Sequence, residues 1–134
     1  MITTTMPAAA KTAEVKRVQL ILKYTFGLVP IVAGLDKFTN ILTDWTKYLA
    51  EPLVNSLPFS AQAFMMVVGV IEILAGILVL VKTEMGSFIV AAWLVLIAIT
   101  LLIGGQYTDV AVRDIVMAIA AYCLFRLSKV RGEE

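Results

Sequence analysis

Five charged residues set the question this sequence poses: Glu72, Arg113, Asp114, Lys37 and Asp36. Glu72 is the most exposed to it. It lies inside VVGVIEILAGILVLV, residues 67–81, and is the only polar group in that run. A carboxylate at such a place costs about 2.5–3.5 kcal/mol in a lipid-crossing helix, so it must face protein, find a partner or take up a proton. Gly69 and Gly76 stand at i−3 and i+4 from it and share its face. Another helix can come close there and bring a counter-charge. Arg113, about a turn into the last apolar segment, is the expected partner. Lys37, Asp36 and Asp114 would extend the network towards the surface.

The elements that carry these charges are read from hydropathy. Of the 134 residues, 60% are hydrophobic and the mean hydropathy is +0.93, against about 45–50% apolar in soluble domains. A soluble chain of this length cannot hide that much apolar surface. The expected fold class is therefore all-α, an integral membrane four-helix bundle forming one domain. The net charge of +1 and the lack of a basic stripe with interleaved aromatics exclude nucleic acid as a partner. There is no histidine, and Cys123 is the single cysteine. The usual haem ligand, the usual catalytic zinc ligand, the commonest general base and any internal disulfide or C-x-x-C pair are thereby removed. No catalytic residue, metal site or covalently bound cofactor is assigned.

Residues 1–17 read as a polar leader. A signal peptide is disfavoured, because the following apolar run has span length and no A-x-A site follows it. Spans are expected at about 18–38, 61–81, 85–103 and 110–127, with 129–134 as a tail. In the first, Gly27, Pro30, Gly34 and Lys37 fall on one face, which reads as a packing stripe. Between the first two spans, Thr43 and Asp44 can start a short helix whose face holds Trp45, Tyr48, Leu49 and Leu53. That pattern predicts an interfacial helix lying at the headgroups. Ser60 is the expected cap of the second span, and Lys82 to Glu84 a tight turn into the third. Asp114, Ala118 and Ala121 share one face of the fourth, and Arg113, Met117 and Ala120 the adjacent one. Lys11, Lys16, Arg17, Lys23, Lys82, Arg126, Lys129 and Arg131 fall on one side, against Lys37, Lys47 and Arg113 on the other. The positive-inside rule then places both termini in the cytoplasm.

Two readings of the charges stand side by side. A buried ion pair can simply fix how the helices meet. Alternatively the charges line a polar pocket that holds a quinone headgroup or another small polar group, with Glu72 as proton acceptor.

Three short motifs carry a resemblance: G-x-x-K (Gly34 to Lys37), G-x-x-E-x-x-x-G (Gly69, Glu72, Gly76) and the Arg113-Asp114 pair opening the fourth span. Over about residues 18–128 the chain resembles the DoxX-like membrane proteins. The resemblance implies a compact four-helix bundle in a multi-pass bacterial inner (cell) membrane, with Lys37, Glu72, Arg113 and Asp114 as the carried-over positions. That family includes membrane subunits of thiosulfate:quinone oxidoreductase and proteins linked to redox or oxidative-stress complexes. The expected role is an accessory subunit of a larger membrane complex, binding quinone or lipid near the Glu–Arg cluster. Its partners would be the lipid bilayer and other membrane subunits or further copies of itself. The alternatives are a subunit with thiosulfate:quinone-type oxidoreductase activity and a small proton-coupled transporter. Lacking histidine and holding one cysteine, the chain is not expected to be a complete enzyme by itself.

Overall fold

The computed structural model describes residues 7–49, 55, 56, 58 and 60–131. Four long helices follow one another: α1 (Ala8–Thr39), α2 (Ala61–Val81), α3 (Thr83–Gly104) and α4 (Thr108–Arg131). Among the described residues, a 3₁₀ turn, Trp45–Tyr48, lies in the connection between α1 and α2. Residues 1–6 of the expected leader, Leu53 of the expected interfacial helix and residues 132–134 of the tail lie outside the described residues.

Three of the helices, α1, α2 and α3, are long and apolar enough to cross a membrane. Helix α4 is not among them. Its charges stand near both ends, at Asp109, Arg113 and Asp114 and again at Arg126, Lys129 and Arg131, and leave only a short uncharged middle.

Helix α2 has the expected bounds, and its cap is the expected one: the Ser60 hydroxyl accepts the amide of Ala63 at 3.2 Å. Helix α1 starts ten residues before the expected span. Ala8, Ala9 and Ala10 and the cations that follow are strong helix formers, and Arg17 pairs with Glu14 one turn back. The expected polar leader is thus helical from Ala8 onward. Its 32 residues reach roughly 48 Å, more than a bilayer core needs. Pro30 sits inside the helix without ending it. The exit from α1 is a left-handed Asn40, φ 54°, whose amide returns to the Asp36 carbonyl at 2.6 Å.

Of the expected short helix in this connection, the described residues show one 3₁₀ turn, Trp45–Tyr48, and its cap is Asp44, not the expected Thr43. The Thr46 hydroxyl and amide both donate to the Asp44 carboxylate, at 2.6 and 3.1 Å, and hold its pKa below the usual range. Trp45, Tyr48 and Leu49 turn their side chains towards the helices and line the space between them. Tyr48 meets Tyr107 edge-on at 4.6 Å between ring centres.

The bundle consists of two close helix pairs, α1 with α2 and α3 with α4; α2 touches α3 over a smaller area, and α1 touches α4 slightly. Glycine makes the first pair close. A Cβ on Gly34 would stand 2.5 Å from the Gly69 carbonyl oxygen, and one on Gly69 would stand 2.6 Å from that of Gly34. Seven residues away, Gly27 and Gly76 repeat the arrangement against each other's backbone. All four glycines therefore stand where α1 and α2 approach closely. Alanine makes the second pair close: Ala91 and Ala98 on α3 and Ala111, Ala118 and Ala121 on α4 are buried. At the opposite end from the 3₁₀ turn, the Gln19 side-chain amide donates to the Ser128 hydroxyl at 3.2 Å, joining α1 to α4. Large apolar side chains point outward instead, including Val32, Leu74, Ile99 and Val116. The interior is small and partly polar, and the exterior is apolar, as bilayer packing requires.

Gly34→Val tests this contact. Its side chain would meet backbone, so it should cost about 1–3 kcal/mol or more and lower the melting temperature in detergent. Ala92→Val, on the exposed side of α3, should stay within about 0.5 kcal/mol.

Candidate functional site

A cavity of about 570 Å³ lies between the two helix pairs. All four helices and the 3₁₀ turn line it, and its walls are almost entirely apolar, with Phe26, Val29, Phe64 and Met65 among them. Its polar groups include Lys37, Glu72 and Asp114, accompanied by the indoles of Trp45 and Trp93.

The Glu72 partner is Lys37, and the expected Arg113 pairing is corrected. The Lys37 Nζ lies 2.9 Å from Glu72 Oε1 and donates a 3.0 Å hydrogen bond to Oε2. Both side chains are buried, at 4% and 9% exposure. The geometry explains why lysine wins. Gly34 faces Gly69, and the two charges stand three residues beyond them in opposite directions along antiparallel helices. Their Cα atoms are therefore offset by roughly 9 Å along the axis. Side chains on a helix tilt towards its N-terminus, so Lys37 and Glu72 lean towards each other across that offset. Arg113 leans the other way, towards the start of α4, and is 74% exposed. It stands 3.9 Å from Asp109, one turn earlier on the same helix. Its neighbour Asp114 is rotated about 100° from it and faces inward.

The remaining side of the Lys37 ammonium is covered by Trp45, whose ring centre is 3.8 Å from Nζ. This is a cation–π contact in a desolvated setting, where such contacts are worth about 2 kcal/mol. Trp45 is itself positioned by Asp36, accepting its indole N–H at 2.8 Å. The same carboxylate accepts the amides of Ile41 and Leu42 and the hydroxyl of Thr39, each at 3.0 Å. Asp36 is thus saturated, and its role is to shape the exit of α1 and hold Trp45 over Lys37. The indole N–H of Trp93 is buried and directed at the Glu72 carboxylate without completing a hydrogen bond.

Asp114 differs from the other acids. It is 7% exposed and lines the cavity within electrostatic reach of Glu72. Among the described residues no cation lies within ion-pair distance of it and no group donates to it.

Of the five charges singled out in the sequence, Lys37, Glu72 and Asp114 meet at the cavity; Asp36 supports them from behind, and Arg113 is outside. Trp45 and Trp93 were missed as site residues. Their indoles carry no periodic signal that separates a cavity wall from plain packing. Compared with protein-family models, curated proteins and solved structures, the chain matches none.

Lys37→Met should strand the Glu72 charge and cost about 3–5 kcal/mol, while Arg113→Ala should cost less than about 1 kcal/mol. Thermal unfolding in detergent measures both. The reverse order would restore Arg113 as the partner.

Proposed function

We propose that this protein is a membrane-embedded, non-catalytic subunit that holds a membrane-soluble small molecule in the cavity between its two helix pairs. The observation that carries the reading is the cavity itself. Its 570 Å³ falls in the range of ligand pockets, about 300–1,000 Å³. Its apolar walls suit an acyl or isoprenoid tail, and the buried Trp93 indole suits a headgroup. In this reading α4 crosses the membrane with the other three. Support comes from its outward Val112, Val116, Ile119 and Tyr122 and from Asp114, which faces the cavity instead of lipid. The termini and Lys82 lie on the cytoplasmic side, where the cations of the sequence are concentrated, and the membrane is a bacterial inner membrane.

The DoxX-like resemblance brings a quinone as the ligand, and the residues fit one. A quinone carbonyl is a hydrogen-bond acceptor. The Trp93 N–H is buried and without a hydrogen bond, and it lines the cavity. Bound there, a quinone would supply electron transfer to or from a partner protein. The chain's own residues would hold its headgroup through Trp93 and exclude water with the apolar wall. The partner is then the redox subunit of a larger complex, since the chain has neither histidine nor a cysteine pair.

Titration of the purified protein in nanodiscs with decylubiquinone should quench tryptophan fluorescence saturably, because both tryptophans line the cavity. Phe26→Trp, which fills cavity space, should weaken the quenching without unfolding the protein. Quenching that rises linearly, as in protein-free lipid mixed with free tryptophan, would remove the ligand reading.

A further inference from the structure

The charge balance of the cavity points to the kind of headgroup it takes. Three charged side chains line it: one ammonium, Lys37, and two carboxylates, Glu72 and Asp114. Lys37 is committed to Glu72, contacting both carboxylate oxygens, and its remaining face is closed by Trp45. Asp36 does not line the cavity and is saturated by its own donors. Arg113 and Asp109 pair on the exposed side of α4. Helix α3 contributes no charge to the lining, only Trp93 and apolar or hydroxyl groups. Asp114 is therefore an acid, 7% exposed, aimed into an apolar cavity with no counter-charge among the described residues.

A buried carboxylate without a partner is costly, and a cation delivered to it is bound strongly. The walls beside it add π-faces that favour cations, from Trp93, Tyr48 and Phe64. An anionic headgroup would meet a net negative lining instead. We infer that the cavity binds lipophilic cations, such as amines or other onium groups carrying apolar substituents, with Asp114 as the counter-ion and the aromatic wall as the cage. This rests on the ligand-binding reading of the cavity and adds charge selectivity to it. Asp114 has then a binding role, and Lys37–Glu72 has a positioning role at the base of the site. A cation of this kind needs no redox chemistry; it binds and leaves unchanged.

The test is calorimetric titration of the full chain in nanodiscs, corrected for protein-free discs, with three probes. Tetraphenylphosphonium is a lipophilic cation, tetraphenylborate is its anionic counterpart of nearly the same shape, and decylubiquinone is neutral. The expected result is saturable binding of tetraphenylphosphonium to the wild-type protein and none of tetraphenylborate. Asp114→Asn should weaken the cation by at least about tenfold. Should the variant lose its helical circular dichroism, the cation-against-anion comparison on the wild-type protein decides alone. Equal binding of cation and anion, or binding of decylubiquinone alone, overturns the cation inference and leaves the ligand cavity standing. Binding of none of the three probes overturns both.

Discussion

An ammonium and a carboxylate hold each other between two helices whose outer faces around them are apolar, and the rest of the architecture follows from keeping them there. Each charge alone would be expensive at such depth. Together, Lys37 and Glu72 satisfy each other at 2.9 Å, and Trp45 closes the remaining side. The contact is possible because α1 and α2 approach backbone to backbone at Gly34 and Gly69 and again at Gly27 and Gly76. With side chains at those positions, the helices would stand farther apart and the ammonium would reach the carboxylate with difficulty. The glycines and the ion pair are therefore one device: the first sets the spacing that the second requires.

That device binds α1 to α2 but not the two pairs to each other. The α3–α4 pair is closed by its own alanines, and contact between the pairs is thinner than contact within them. The difference leaves the cavity. Its charged groups come from α1, α2 and α4, and its aromatic groups from the connection and from α3 as well. A space assembled from every element, apolar on its walls and charged at one side, is suited to a molecule that arrives from the bilayer and carries a polar end.

Much of this was legible in the residues, and the failures have identifiable causes. The four helices followed from hydropathy, and the bounds of α2 followed from its unbroken apolar run and the Ser60 cap. The glycine seam followed from seven-residue spacing within each helix. That a buried acid needs a cation was also legible; which cation was not. Depth along a span measured from Cα positions favoured Arg113, but depth ignores the tilt of side chains towards the helix start. That tilt brings Lys37 inward and carries Arg113 outward. The two adjacent faces of α4 were separable in the sequence, but which one turns inward was not: Asp114, Ala118 and Ala121 are the buried set, and Arg113 lies one step off it. That Trp45 and Tyr48 line the cavity was not legible, because an aromatic pattern at helical spacing looks the same whether it faces headgroups or a protein interior. Helix α1 was underestimated because hydropathy stops where polar residues begin, although alanine, lysine and glutamate continue a helix well.

The measurement closest to the central claim is a double-mutant cycle on the ion pair, read by thermal unfolding in nanodiscs. Glu72→Gln and Lys37→Met, each alone, leave one charge buried without its partner. If the two side chains hold each other, the double variant recovers most of the roughly 3–5 kcal/mol that a single change costs. If the two losses simply add, Lys37 and Glu72 do not depend on each other and the account built on their contact is wrong.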